Sequence, residues 1–79
     1  MTNQKLAFGR VLREVRLDRG LSQEALGFEA GRDRTYISML ELGQCSPTLD
    51  TILTLCEALN ISFSDLAARI DRQLAAPDD

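Results

Sequence analysis

The sequence of 79 residues predicts an all-α fold of five short helices. Three observations carry this. Apolar residues recur at three- and four-residue spacing, the period of a helix face. Ser22, Asp33, Thr48 and Ser62 stand directly before such stretches, where a side-chain oxygen can accept from a free amide two or three residues on. Gly20, Gly31 and Asn60 stand at the ends of three of them.

Helix 1 is expected over about 4–18, with Phe8, Val11, Leu12 and Val15 as its apolar stripe and Arg10, Arg13 and Arg16 mostly off it. Ser22 caps helix 2, which carries Leu26 and Ala30 and stops at Gly31. Asp33 caps helix 3, Arg34 to Glu41 or Leu42. There Ile37 and Leu40 share one face, and Arg34, Thr35, Ser38 and Met39 lie roughly on the other. The loop 42–47 is punctuated by Gly43 and Pro47. Thr48 caps helix 4, with Leu49, Ile52, Leu53 and Cys56 expected on one side and Leu59 near the end. Helix 5 opens on Ser62-Phe63-Ser64-Asp65, similar to a capping box, and continues through the stripe Leu66, Ile70 and Leu74. The tail 75–79 is expected to fray, leaving a single domain with its core over about 6–74.

Composition limits the possible functions. A chain this short buries only roughly 60% of its unfolded surface, so association with a second copy would help its core. No run approaches the ~20 apolar residues of a membrane span, and the N-terminus lacks the apolar region of a signal peptide. Cys45 and Cys56 lack metal-ligand spacing and there is no histidine, so reduced thiols in a cytoplasmic protein are expected. Cys56 falls on an apolar stripe and Cys45 in a loop. Nothing resembles a paired carboxylate, a phosphate loop or a metal cluster; Cys45 has no nameable base. An enzyme, a metal or a cofactor is therefore not expected.

The net charge is −3, whereas nucleic-acid-binding domains are more often basic. Its distribution softens the objection. Residues 1–44 hold seven Lys or Arg against six acids; residues 45–79 hold only Arg69 and Arg72 against six acids. The acid thus sits mostly away from helices 2 and 3. A short helix showing Arg, Thr and Ser outward, braced by a preceding helix, suits a DNA major groove.

The stretch Gly20-Leu21-Ser22-Gln23-Glu24-Ala25-Leu26, then Ala30-Gly31, Asp33-Arg34-Thr35-Tyr36-Ile37-Ser38 and Leu40-Glu41, resembles the helix-turn-helix of the Cro and lambda-repressor-like (XRE-like) family. Phe8-Gly9, Leu12-Arg13, Gly43, Ser46-Pro47-Thr48-Leu49 and Ala58-Leu59 extend the likeness over about 6–70. It is particularly similar to the small controller proteins of restriction–modification systems. The resemblance implies that Arg34, at the start of helix 3, reaches base edges, where a guanidinium can donate twice to guanine; otherwise it is a solvated partner of Asp33 or Glu29. It implies phosphate contacts for Gln23 and Ser38. Thr35 meets a thymine methyl or a phosphate, or is neutral. Tyr36 is expected to pack half-buried in preference to binding phosphate. Glu41 is expected to brace the fold through an arginine of helix 1 such as Arg16.

Three departures stand out. Arg32 replaces a small apolar residue and is solvated or reaches a phosphate. Met39 and Leu42 stand where basic residues are frequent, leaving thymine methyls or a protein as their partners. Gln44-Cys45 replace a loop that often carries basic residues. Fewer phosphate contacts mean a shallower dependence of binding on salt.

The leading expectation is a sequence-specific regulator of transcription that binds double-stranded DNA as a homodimer on a pseudo-palindrome. The Leu66, Ile70 and Leu74 stripe is most simply core, but Leu74 and Ile70 extend past what a five-helix core requires. In relatives the last two helices often pair with a two-fold mate, so Leu66, Ile70 and Leu74 are the expected interface. No sensor domain fits this length, so no small-molecule effector is expected. The alternative is a protein-interaction module of the same fold, an antitoxin or antirepressor subunit.

Overall fold

The computed structural model describes residues 3–76. Five helices follow in order: α1 Gln4–Asp18, α2 Gln23–Ala30, α3 Arg34–Glu41, α4 Leu49–Leu59 and α5 Phe63–Ala75. Each opens on a side-chain cap. Ser22 accepts from the Ala25 amide, Asp33 from Tyr36, Thr48 from Thr51 and Ser62 from Asp65. Asn3 does the same for α1 through the Leu6 amide. Caps of this kind contribute about 1 kcal/mol each and fix where a helix begins. Gly31 closes α2 at φ 68° and Asn60 closes α4 at φ 52°, both left-handed.

One core joins all five helices. It holds Phe8, Val11, Leu12 and Val15 of α1, Leu26 and Ala30 of α2, Ile37 and Leu40 of α3, Leu55, Cys56 and Leu59 of α4, and Leu66 of α5. α3 packs on α1 and α2, while α5 packs on α1 and α4. Two glycines let backbones approach closely around α3. A Cβ on Gly9 would lie 2.6 Å from the Glu41 carbonyl oxygen and nearer still to that of Leu40. A Cβ on Gly27 would lie 2.6 Å from the Arg32 carbonyl oxygen. α3 is therefore seated against backbone on two sides.

Two expectations are corrected. In α4 the inward row is Thr51, Leu55 and Leu59, with Cys56 beside it, while Leu49 and Leu53 are exposed. α4 is apolar around most of its circumference, so spacing alone did not decide which row faces the core. Thr51 can be buried because its hydroxyl is engaged by Thr48 at 3.1 Å and by Arg32 at 2.9 Å. Leu66 is 1% exposed inside its own protomer, so it seats α5 on the core and offers no surface to a mate. From Pro77 on, the expected fraying lies outside the described residues, and Ala75 is the last residue of α5.

Candidate nucleic-acid interface

Helix α3 divides cleanly. Ile37 and Leu40 are fully buried, which turns Arg34, Thr35, Ser38 and Met39 away from the core. Arg34 is the first helical residue after the Asp33 cap, is exposed, and pairs with neither Asp33 nor Glu29. Among the described residues its guanidinium has no hydrogen-bond or ion-pair partner, which leaves it available at the end of the helix. Thr35 is exposed beside it, and Ser38 and Met39 follow one turn later. Together with Gln44 these residues line a groove of about 320 Å³.

Gln44 was not among the expected site residues. Gly43, at φ 73°, turns the chain back so that the Gln44 amide donates to the Met39 carbonyl at 2.9 Å. This left-handed stop carries the next side chain to the rim of α3's exposed face. Gly43 was the signal that could have found it.

Behind the groove lies a buried ionic cluster. Arg16 Nε donates to Glu41 Oε2 at 2.6 Å and Arg16 Nη2 donates to Glu41 Oε1 at 3.0 Å, a two-point pair between α1 and the last residue of α3. Arg16 Nη1 also donates to the Leu21 carbonyl at 2.8 Å, and Gln23 Nε2 donates to Glu41 Oε1 at 3.1 Å. The Arg16–Glu41 pair thus ties α1, the turn before α2, the first residue of α2 and the end of α3. Gln23 is half-buried and oriented by this bond, which uses one of its amide hydrogens and leaves the other, with the carbonyl oxygen, for a further partner.

The departing residues find their places. Arg32 is exposed; its Nη2 donates to the Thr51 hydroxyl and its guanidinium lies 5.5 Å from the centre of the Tyr36 ring. It bridges the helix-turn-helix to α4. Tyr36 is half-buried against the core. Leu42 is exposed just beyond α3, and Cys45 packs half-buried on the core. Of the expected interface residues, Ile70 and Leu74 are half-buried on α5. Leu49 and Leu53 of α4 and Phe63 of α5 are exposed, although Leu49 and Leu53 were expected on the same side as Cys56. Cys56 is buried, and desolvation raises its thiol pKa above the ordinary value.

The helix-turn-helix family pattern matches residues 12–66, which spans the caps of α2 to α5, the groove and the ionic cluster. The chain is 43% identical over 68 residues to the control protein C.BamHI of Bacillus amyloliquefaciens, covering 84% of each. It is similar to the crystal structure of the restriction-modification controller protein C.AhdI from Aeromonas hydrophila, at 46% identity and TM-score 0.75, over 77% of this chain and 92% of that one. The clp gene regulator ClgR from C. glutamicum shares the fold at TM-score 0.91 and 25% identity, over 98% of this chain and 100% of that one. The chain belongs to the helix-turn-helix family of XRE-like type, a family of transcription regulators and not of enzymes.

Proposed function

We propose that this protein is a restriction–modification control protein that binds double-stranded operator DNA as a homodimer and regulates transcription there. The observation that carries the reading is the exposed face of α3. Arg34, Thr35, Ser38, Met39 and Gln44 converge on one groove whose backing is locked by the Arg16–Glu41 pair. A rigid helix presenting a guanidinium at its N-terminal end and small polar groups one turn on is what reads base edges in a major groove. Arg34 donates to guanine, Met39 meets a thymine methyl, and Gln23 and Ser38 hold phosphates. Thr35 and Tyr36 line the approach to the backbone, and Arg32 steadies Tyr36 from the side.

The homodimer would use α4 and α5. Leu49, Leu53 and Phe63 are exposed apolar side chains, and Ile70 and Leu74 on α5 are half-buried. To read a pseudo-palindrome, a two-fold axis there must set two copies of α3 about 34 Å apart, one helical turn of DNA. Such a protein works in the cytoplasm, with occupancy set by its own concentration. Selection from random duplexes tests the reading. A recovered palindromic site with half-sites one turn apart supports it, and failure to enrich any sequence at low salt overturns it.

A second reading as a protein-docking module has its own observation. Phe28 is 85% exposed on α2, Leu42 is exposed after α3, and the chain carries a net charge of −3. Under that reading, loss of the Arg34 guanidinium would leave DNA binding unaffected.

A further inference from the structure

Away from α3, a cavity of about 260 Å³ opens between the end of α1, the α4–α5 turn and the flank of α5. Arg19, Asn60, Ser62, Asp65, Arg69 and Arg72 are among its lining residues, and none of them lines the α3 groove. We propose that this cleft binds phosphate groups. The proposal does not rest on the DNA-binding reading.

The charge is segregated here. Residues 45–79 contain only two basic side chains, Arg69 and Arg72, and both line this one cleft. Arg19 joins them from the other side and is held in place. Its Nε donates to the Leu59 carbonyl at 2.8 Å and its Nη2 to the Asn60 carbonyl at 3.4 Å, which engages two of its three nitrogens. Arg69 Nη1 lies 3.5 Å from Asp18 and 3.9 Å from Glu14, carboxylates more than half exposed to water. Long, solvated pairs of this kind are weak and readily exchanged. Arg72 is exposed. Ser62 accepts from the Asp65 amide through its hydroxyl oxygen, so its own hydrogen is free to donate. The cleft thus offers the Arg72 guanidinium, the unengaged N–H groups of Arg19 and Arg69, an amide and a hydroxyl, against Asp65 in its lining and the solvated Asp18 and Glu14 beside Arg69.

The ligand follows from that inventory. A single carboxylate brings one charge and two oxygens, too little to engage three arginines while facing Asp65. A phosphate group brings more charge and three or more oxygens, and Arg binds it through paired N–H groups. The volume is below the roughly 300–1,000 Å³ of pockets that enclose drug-sized ligands. It accommodates a phosphate or diphosphate moiety while the rest of the molecule stays outside. Two sources share this chemistry: a free oligophosphate compound and the backbone of DNA beyond the reach of α3.

Inorganic pyrophosphate titrated into the full-length protein, followed by backbone-amide and arginine side-chain NMR resonances, tests the site. Saturable shifts centred on Asn60, Ser62, Arg69 and Arg72 are expected. The double variant Arg69→Gln/Arg72→Gln should weaken them about tenfold or more, whereas Arg10→Gln/Arg13→Gln, which removes two charges from α1, should not. Circular dichroism confirms that both variants fold. Binding of a mixed-sequence duplex then separates the sources. Loss of duplex affinity in the Arg69/Arg72 variant identifies the DNA backbone, and unchanged affinity identifies a free oligophosphate, which would make the protein responsive to a small molecule after all. Absence of saturable shifts at the cleft, or equal weakening in the two double variants, overturns the proposal.

Discussion

Arg16 and Glu41, 25 residues apart in sequence, meet face to face beneath the exposed helix, with side chains 9% and 3% exposed. The pair costs desolvation, so its worth lies less in net stability than in what it fixes. It joins the C-terminal end of α3 to α1 and, through Gln23, to the start of α2. Any rotation of α3 breaks a hydrogen bond inside the fold.

Glu41→Ala leaves the Arg16 charge buried without a counter-ion. A loss of about 3–5 kcal/mol is expected in urea unfolding, enough to unfold much of so small a domain at room temperature. Arg16→Met combined with Glu41→Leu removes both charges and should recover most of that loss. A single variant within about 1 kcal/mol of the parent would contradict the assigned role.

Gly9→Ala tests the seat of α3. On helix propensity alone the substitution would stabilise by roughly 0.5–1 kcal/mol. The added Cβ, however, would sit 2.6 Å from the Glu41 carbonyl oxygen, a backbone atom that no side-chain rotation can move. A net destabilisation of about 1–3 kcal/mol and a lower Tm are expected. An unchanged or raised Tm would show that α1 and α3 can separate without cost.

Leu53→Asp tests the mate surface. Leu53 is 45% exposed and outside the core, so the variant should keep its helicity. Sedimentation equilibrium at micromolar concentration should show a dimer for the parent and a shift to monomer for the variant. A parent that stays monomeric both free and on DNA would remove the dimer from the account.

The two thiols should react differently. Cys56 is 6% exposed and its pKa is raised by burial, so little thiolate forms there at neutral pH. A thiol reagent should therefore modify Cys45 in the folded protein and Cys56 only in denaturant. Equally rapid modification of both would show that α4 opens far more readily than its packing implies.

The helix boundaries were legible in the sequence because their signals are local. Ser22, Asp33, Thr48 and Ser62 each lie within three residues of the amide they satisfy. The face that α4 buries was not legible. Leu49 and Leu53 are as apolar as Leu55 and Leu59, and only contact with α2 and α5 selects between the rows. The Arg16–Glu41 brace was expected from the family resemblance, whereas the Arg32–Thr51 bond followed from no such signal. It depends on α4 presenting a threonine where an apolar stripe predicted none. At the candidate site, Arg34, Thr35, Ser38 and Met39 were placed together by helical period. Gln44 was missed because it reaches the groove through a backbone reversal.

The central claim is that Arg34 reads sequence while Gln23 holds the backbone. Equilibrium binding of the parent, Arg34→Ala and Gln23→Ala to the selected site and to one-base variants of it measures both roles together. Arg34→Ala should cost about 1–3 kcal/mol per half-site and erase the preference at one base pair. Gln23→Ala should weaken all sites about equally, because a phosphate carries no base identity. Equal loss on every site in Arg34→Ala would reduce Arg34 to a backbone contact. No loss in a folded Arg34→Ala variant would contradict DNA recognition by α3.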